Sequence, residues 1–305
     1  MREKDRFWNA LRQTRVLVGD GAMGTELQKR GMPTGVCPEE LNVSCPRLIQ
    51  EIYRDYFGAG SDIVETNTFG ANRSRLALHG MEERVQEFCQ RSAELACELR
   101  PPNAFVAGSI GPTGDLLDPL GPRTASEAYE IFAEAAEGLA RGGVDVIFVE
   151  TMMAIEEAEI AVRAAKERTG LPVSATMTFE KGKAGLRTMW GVDVPTAVRR
   201  LTEAGADVLG ANCGRGFDEM AEIVSAMRPL TEKPILAQAN AGIPEWVDGA
   251  SVYRETPETI LPYVKALLAN GVTIVGGCCG TGPDHIRAIR HAVDDFLAGN
   301  AADRS

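Results

Sequence analysis

The chain has 305 residues, a net charge of −11 at pH 7 and an isoelectric point near 5.0. Nucleic acids and anionic membranes select a basic protein face, so this charge predicts neither as a partner and favours a small molecule or a protein. Hydrophobic residues make up 44% and charged residues 25% of the chain, as in globular proteins with a sizeable core. We expect one domain over residues 1–305, with its core at about 16–297.

The start of the chain, the length of its apolar runs and its cysteines indicate the compartment. Met1 to Arg6 is charged and leads into no apolar segment, and no later run approaches 18 apolar residues. We therefore expect a cytoplasmic protein. In that compartment seven cysteines, an odd number, are expected to be reduced thiols or metal ligands rather than a disulfide framework.

One cadence recurs four times along the chain: a helix, a glycine, and a short apolar strand that ends in polar residues. The copies span residues 59–66, 142–150, 204–213 and 270–276, and further strands are expected at 16–19, 105–109, 172–179 and 234–238. Helices are expected at Thr25–Arg30, Ala125–Arg141, Glu156–Arg168 and Pro283–Leu297. Each glycine suits the position after a helix, and each unbroken apolar run suits a parallel strand that is buried on both faces. Eight such units predict an α/β protein with a (β/α)8 TIM barrel, and an open doubly wound sheet is the competing architecture.

In such barrels the chemistry lies at the carboxyl ends of the strands. The predicted strand ends carry ten polar residues: Asp20, Thr66, Asn67, Ser109, Glu150, Thr178, Cys213, Asn240, Cys278 and Cys279. We therefore expect these side chains to gather around a shared site.

Cys213 ends the sixth strand, and the adjacent Cys278 and Cys279 follow the eighth. Neighbouring Cα atoms lie only about 3.8 Å apart, which disfavours a disulfide between the adjacent pair. Three thiolates with one open position instead predict a tetrahedral zinc site that can accept a substrate ligand. The alternative interpretation is that these are small buried residues or redox thiols. The other four cysteines, Cys37, Cys45, Cys89 and Cys97, are interpreted as packing residues, and the three histidines, His79, His285 and His291, lie away from the strand ends.

The segment from Gly19 to Gly24 matches the dinucleotide fingerprint G-x-G-x-x-G. That fold also needs a second strand ending in an acidic residue, but the region around Glu39 and Glu40 is rich in Pro, Gly and Cys. An NAD-dependent oxidoreductase is therefore the less favoured interpretation. The backbone amides of this segment can instead bind a substrate carboxylate, with the side chain of Asp20 facing the cavity.

Other loop and strand-end residues allow two interpretations each. Glu150 follows an apolar run and is predicted to bind a substrate ammonium group, the alternative being a salt bridge within the barrel mouth. Asn240 can offer an amide oxygen to a cation, or it can cap its own turn. Trp190, Trp246 and Tyr253 can stack on a quaternary ammonium group, or they can pack the loops.

Seven segments together resemble the homocysteine S-methyltransferase family, and most closely the barrel of its cobalamin-dependent branch. They are Gly19–Glu26, Glu65–Ala71, Gly111–Gly114, Glu150–Thr151, Asn212–Cys213, Asn240–Gly242 and Gly276–Thr281, and the resemblance extends from about residue 16 to 297. It implies a methyltransferase that converts homocysteine to methionine. It also implies one Zn²⁺ per chain on Cys213, Cys278 and Cys279, with the homocysteine sulfur completing the site.

The resemblance further implies how the amino acid is held. Asp20 and Glu150 are expected to contact the amino group, while the backbone near Ala22 and Met23 and the side chain of Asn240 help to hold the substrate. Thr66, at the end of the second strand, is expected to be a further substrate contact.

The sequence leaves the methyl donor open, because no segment resembles a folate-binding or cobalamin-binding module. A separate methyl-corrinoid protein, S-methylmethionine, S-adenosylmethionine and a betaine are the candidates. A family member that uses another thiol, or that demethylates another compound with a separate corrinoid or folate-binding partner, is one alternative. A non-catalytic zinc protein is another, and an oligomer is compatible with all of them.

Overall fold

The computed structural model describes residues 3–13, 16–33, 35–247 and 250–302. Eight strands form one parallel sheet: β1 Leu17–Val18, β2 Ile63–Glu65, β3 Phe105–Ile110, β4 Val146–Met152, β5 Val173–Met177, β6 Val208–Cys213, β7 Ile235–Ala239 and β8 Ile274–Gly277. They are hydrogen-bonded in the order β1-β8-β7-β6-β5-β4-β3-β2. β1 and β2, which follow each other in the chain, lie at the two ends of this order, so the sheet curls into a nearly closed barrel. The predicted (β/α)8 TIM barrel is confirmed.

Helices surround this barrel. They are α1 Glu3–Arg12, α2 Met23–Lys29, α3 Leu41–Ser44, α4 Pro46–Ala59, α5 Arg73–Ala77, α6 Val85–Leu99, α7 Ala125–Arg141, α8 Ile155–Thr169, α9 Val194–Glu203, α10 Phe217–Met227, α11 Pro257–Ala269 and α12 Pro283–Ala302. Helix α7 has the predicted bounds, while α8 is one residue longer at each end and α12 runs five residues beyond the predicted Leu297. Two hairpins extend the loops after β5 and β7: Glu180–Gly182 with Gly185–Arg187, and Glu245–Val247 with Ala250–Val252.

Asp62 joins the first and second strands at the amino end of the barrel. Its backbone N–H donates to the Val18 carbonyl at 2.7 Å, and its carboxylate accepts from the Val18 N–H at 3.0 Å. Arg290 of α12 pairs with the same carboxylate at 2.8 Å. The bonds between Asp62 and Val18 therefore tie together the two strands that end the sheet order.

The recurring pattern of helix, glycine and strand has the same aspartate arrangement at two more places. An aspartate just before a strand binds the backbone of the preceding strand and a cation: Asp145 with Val106 and Arg100, and Asp207 with Val173 and Lys166. The glycine two residues earlier has a left-handed φ in each copy: +102° at Gly60, +91° at Gly143 and +99° at Gly205. These glycines end the preceding helix, as the sequence predicts.

Helix α1 covers the amino end of the barrel, ahead of the core predicted from about residue 16. Its Phe7 and Leu11 are buried against residues from the strands, including Leu17, Ile63 and Phe105. The Phe7 and Phe105 rings meet edge to face, with centroids 5.4 Å apart. This end is therefore filled with apolar side chains, which leaves the carboxyl end for chemistry. No helix within the described ranges is long and apolar enough to cross a membrane.

Candidate metal centre and substrate cavity

Cys213, Cys278 and Cys279 converge at the carboxyl end of the barrel. Their Sγ atoms all lie within 4.8 Å of one another, and each residue is half-buried. The sheet register explains the convergence: Ala239 of β7 is paired with Cys213 on one side and with Gly277 on the other. The strands that carry the cysteines therefore end at one level, with a single strand between them.

The backbone at both strand ends turns so that the thiols share one volume. Cys213 has a left-handed φ of +65°, which is uncommon for a residue with a side chain. The Cys278 N–H donates to the Ala239 carbonyl at 2.7 Å, whereas the Cys279 carbonyl accepts from Ala241 at 2.9 Å. Gly280 then turns back with a φ of +83°. Cys278 thus continues the hydrogen bonding of the sheet, whereas Cys279 does not. This change in the backbone brings the two adjacent side chains to the same site.

The spacing and chemistry of the three sulfurs fit a soft metal ion. Thiolates that ligate a tetrahedral zinc ion at about 2.3 Å stand roughly 3.8 Å from one another, which is compatible with the observed separations of up to 4.8 Å. The thiols also interact directly: hydrogen bonds from Cys278 and Cys279 lower the pKa of Cys213, and the same contacts with Cys213 raise the pKa of both partners. The cluster therefore holds one thiolate readily, and a cation would favour all three in that form.

Asn240 and Tyr253 are among the side chains that contact the cysteines. Asn240 donates a hydrogen bond to the Gly214 carbonyl at 2.6 Å and interacts with Cys213. Its Oδ1 atom is buried and has no hydrogen-bond partner in the part of the chain that the structure describes. The Tyr253 hydroxyl is hydrogen-bonded to Cys279, whereas the side chains of Trp190 and Trp246 are exposed. Of the three aromatic residues expected either to stack on an ammonium group or to pack the loops, Tyr253 is the one at the sulfur cluster.

A cavity of about 430 Å³ lies beside the sulfurs. Its wall includes all three cysteines and five of the six predicted substrate residues: Asp20, Ala22, Met23, Thr66 and Glu150. Asn240 is not part of this wall. The carboxyl ends of β1, β2, β4, β6 and β8 thus meet around one space, as the strand-end argument predicts.

Three carboxyl groups, Asp20, Glu65 and Glu150, occupy one side of the cavity. Asp20 accepts a hydrogen bond from the Glu65 N–H at 2.8 Å, and Glu65 is hydrogen-bonded to Glu150. Gln238 donates to Glu65, and Ser109 donates to Glu150, both at 2.5 Å. Burial raises the pKa of all three carboxyl groups, and repulsion from the neighbouring acids raises those of Asp20 and Glu65 further. The cluster therefore favours bound protons or a bound cationic group.

The glycine-rich segment leads into helix α2. The Ala22 N–H donates to the Thr281 carbonyl at 3.1 Å, and the Ala22 carbonyl accepts from Tyr56 at 2.9 Å. The N-cap residue, Ala22, makes no side-chain hydrogen bond to the helix, and the first turn, beginning at Met23, lines the cavity. After this helix, residues 38–59 form helical turns instead of the acidic strand of a dinucleotide fold, which counts against the NAD interpretation.

Thr66 lies in the cavity wall, but its hydroxyl has protein partners. It accepts from the Ser109 N–H at 3.0 Å and lies 2.6 Å from the Thr68 hydroxyl. These bonds tie β2 to β3 at the level of the cavity. Its role as a substrate contact stays a prediction.

Three residues of the cavity wall were not predicted as site residues: Glu65, Asn212 and Gln238. Each lies in the last two positions of a strand and lines the cavity, and each forms hydrogen bonds with Glu65 or Glu150. The signal was a polar residue near the end of an otherwise apolar strand, because a buried polar group needs a partner.

The chain is similar to known methyltransferases in both sequence and fold. The homocysteine S-methyltransferase family model matches residues 17–293. Methionine synthase of Mycobacterium tuberculosis is 36% identical over 299 residues, an alignment that covers 92% of this chain and 25% of that protein; for the Mycobacterium leprae methionine synthase the values are 34%, 92% and 24%. The chain therefore spans about a quarter of the length of these curated relatives.

Among solved structures, the metallated homocysteine methyltransferase MmuM from Escherichia coli has a TM-score of 0.78 and 22% identity, covering 94% of this chain and 99% of that one. At that identity the likeness supports the fold alone. The family match is decisive: the chain belongs to the homocysteine S-methyltransferase family, a family of methyltransferase enzymes. The predicted resemblance is confirmed, while a single domain over residues 1–305 stays a prediction.

Proposed function

We propose that this chain is a zinc-dependent S-methyltransferase that binds homocysteine and transfers a methyl group to its sulfur, giving methionine. The observation that carries the proposal is the convergence of three cysteine sulfurs within 4.8 Å beside a cavity lined by carboxyl groups. Family membership supplies the reaction class.

Cys213, Cys278 and Cys279 would hold the zinc ion. When bound, zinc supplies the Lewis acidity that keeps a substrate thiol deprotonated, and the thiolate is the form that attacks a methyl carbon. The three cysteine side chains contribute three negative charges, which leaves the centre electron-rich. The unpaired Oδ1 of Asn240, a side chain that interacts with Cys213, is a further polar group for the metal or the substrate.

The amino and carboxylate groups of homocysteine are assigned to the part of the cavity away from the three cysteine sulfurs. Asp20 and Glu150 would bind the ammonium group, which compensates the charge that makes their ionisation costly in a buried cluster. The substrate carboxylate is assigned to the first turn of α2 at Met23, because the Ala22 amide is already bonded to Thr281. Ala22 would then contribute to the wall, and Thr66 would border the substrate from β2.

For the methyl donor we propose a methyl-corrinoid carried by a separate protein. The support is the resemblance of the strand-end segments to the cobalamin-dependent branch, together with the 36% identity to a methionine synthase that is about four times as long. The partners in this proposal are thus a small amino-acid thiol and a donor protein.

A methyl-donor screen tests the reaction. Purified zinc-loaded protein is incubated with homocysteine and, in separate reactions, methylcobalamin, S-methylmethionine, S-adenosylmethionine and glycine betaine, and methionine is measured by mass spectrometry. We expect methionine with methylcobalamin, and none from the Cys278→Ser variant under the same conditions. Turnover with another donor would overturn the corrinoid assignment. No methionine with any of them, in protein that binds zinc and homocysteine, would overturn the proposed acceptor reaction.

A further inference from the structure

We propose that Asn212 is a positioning residue that fixes the Glu150 carboxylate and the Cys278 sulfur relative to each other through its single side-chain amide. The proposal rests on the proposed function, in which Glu150 binds the substrate ammonium group and Cys278 holds the metal. Asn212 lies at the end of β6, directly before Cys213, and only 1% of its surface is exposed.

The hydrogen bonds to the Asn212 carbonyl oxygen determine how the amide is oriented. Its Oδ1 atom accepts from the Thr151 N–H and from the Thr176 hydroxyl, both at 2.7 Å. These two bonds use both lone pairs of the oxygen. Rotation of the amide by 180° would place an NH₂ group against the Thr151 N–H donor, so the orientation with oxygen towards β4 and β5 is fixed.

The fixed orientation directs the Asn212 NH₂ group between the two parts of the site. Nδ2 lies 3.1 Å from Glu150 Oε2, 2.7 Å from the Thr151 hydroxyl and 3.9 Å from Cys278 Sγ. Two N–H bonds are thus shared among three acceptors, and every polar atom of the side chain is used. One of those acceptors is a proposed substrate ligand and another is a proposed metal ligand.

The backbone of Thr151 strengthens the link to Glu150. Thr151 has a φ of +58°, a left-handed conformation that is strained for a β-branched residue. Its N–H donates to Asn212, and the register of β4 against β5 is irregular between Val149 and Met152. Because Glu150 directly precedes Thr151, Asn212 holds this carboxylate both by a direct bond and through the backbone that carries it.

A fixed relation between Glu150 and Cys278 has a consequence for substrate choice. The ammonium group and the sulfur of homocysteine are separated by a defined number of methylene groups, and cysteine is one methylene shorter. A site that holds both end groups in place discriminates between the two thiols by length, and one methylene can account for about 10- to 200-fold in specificity. Asn212 is therefore expected to contribute to the preference for homocysteine over cysteine.

The test compares Asn212→Ala with Asn72→Ala. Asn72 is also buried and also forms side-chain hydrogen bonds, to the Arg75 N–H and the Pro112 carbonyl, but it does not line the cavity. Both proteins are loaded with Co²⁺, and the thiolate-to-cobalt absorption and its change on titration with homocysteine or cysteine are recorded. Zinc affinity is measured by competition with a chromogenic chelator.

In Asn212→Ala we expect the cobalt band at longer wavelength, because Cys278 loses an N–H donor. Zinc affinity should fall about 10-fold or more, as for other groups that hydrogen-bond to metal ligands. The ratio of cysteine to homocysteine dissociation constants should fall at least about fivefold, part of the range that one methylene supplies. The Asn72→Ala protein should match the unaltered chain in all three readouts. An unchanged band and an unchanged ratio in folded Asn212→Ala would overturn the role of Asn212.

Failure of the proposed function would look different. It would appear in the unaltered chain, as cobalt that is not bound by thiolates or whose spectrum does not respond to homocysteine. If Asn212→Ala does not fold, the unaltered chain still decides the matter. In ¹⁵N-labelled protein loaded with ¹¹³Cd, the Asn212 side-chain amide should show scalar coupling to the metal across the N–H···S bond to Cys278. Absence of that coupling with the amide assigned would overturn the proposal.

Discussion

Glu65 and Glu150 are hydrogen-bonded to each other in the wall of the cavity. Burial and repulsion from Glu150 and Asp20 raise the pKa of Glu65 well above its usual range. Burial raises the pKa of Glu150 as well, and the hydrogen bond from Glu65 limits that rise. Gln238 donates to the other side of Glu65 at 2.5 Å. We therefore expect Glu65 to hold the shared proton and to support, as a neutral acid, the carboxylate assigned to the substrate.

Glu65→Gln should preserve this arrangement and remove its proton dependence, because an amide can accept from Gln238 and donate to Glu150 as the neutral acid does. The pKa of Glu65 is higher in the folded chain than in the unfolded chain, so its contribution to stability is fully present below the ordinary carboxyl pKa of about 4. That contribution is lost as the pH rises through the raised pKa of the folded protein. Metal-free protein should thus lose stability with rising pH, at about 1.4 kcal/mol per pH unit for each proton released.

In urea titrations across this pH range, the Glu65→Gln protein should lose less stability than the unaltered chain. The exposed Glu232→Gln serves as the control and should follow the unaltered chain. Parallel curves for Glu65→Gln and the unaltered chain would contradict the assignment of the proton to Glu65.

Cys278→Ser should abolish stable zinc binding, because the centre would lose one of three thiolates. We expect an affinity loss of more than about 100-fold, since even groups outside the ligand set change it by 10- to 100-fold. Zinc per chain after gel filtration should fall from one to near zero, and methyl transfer should be lost with it. Cys45→Ser, at an exposed cysteine outside the cavity, should retain the metal; equal zinc content in the two variants would refute the site.

Asp145→Ala should destabilise the barrel without changing the metal centre. Asp145 is nearly buried, pairs with Arg100 at 2.5 Å and accepts from the Val106 N–H at 2.8 Å. The variant loses the ion pair and leaves the buried Val106 N–H without its carboxylate acceptor, and an unpaired buried polar group costs about 1–3 kcal/mol. Chemical unfolding measures this loss against Glu203→Ala, from an exposed pair with Arg199, which should change stability by less than about 1 kcal/mol. A similarly small loss of stability in both variants would show that the bonds of Asp145 do not stabilise the barrel.

Gly280→Ala should weaken metal binding by displacing Tyr253. A methyl group at Gly280 would lie 2.2 Å from the Tyr253 ring, and Tyr253 is hydrogen-bonded to Cys279. Gly191→Ala is the matched control, because its φ of +82° resembles the +83° of Gly280 while its added carbon meets no atom within 4 Å. Both variants should lose about 1 kcal/mol or more from the left-handed conformation. Zinc affinity should fall about 10-fold in Gly280→Ala alone, and an equal loss in Gly191→Ala would contradict the contact.

Features that are encoded locally were predictable from the sequence. Helix α7 has the expected bounds because its capping box, formed by Thr124 and Glu127, and the glycines after Arg141 are all local signals. The convergence of the three cysteines was likewise expected, since strand ends of a parallel barrel share one face.

Features that depend on distant partners were not predictable. Which carboxyl group keeps the proton depends on the burial of Glu65 and on its approach to Glu150 and Asp20, which other strands bring beside it. The Ala22 amide was expected to be available for a substrate, but the Thr281 carbonyl occupies it. Helix α1 has little local signal of burial, because only its packing against the barrel strands makes Phe7 a core residue.

Zinc-edge X-ray absorption, recorded on purified protein with and without homocysteine, tests whether the three cysteines hold a metal that binds the substrate sulfur. We expect one zinc per chain with three sulfur ligands at about 2.3 Å, and a fourth sulfur when homocysteine is added. The Asn72→Ala protein should give the same pair of spectra. Four protein ligands that do not change with homocysteine, or protein that binds no zinc at Cys213, Cys278 and Cys279, would contradict this expectation.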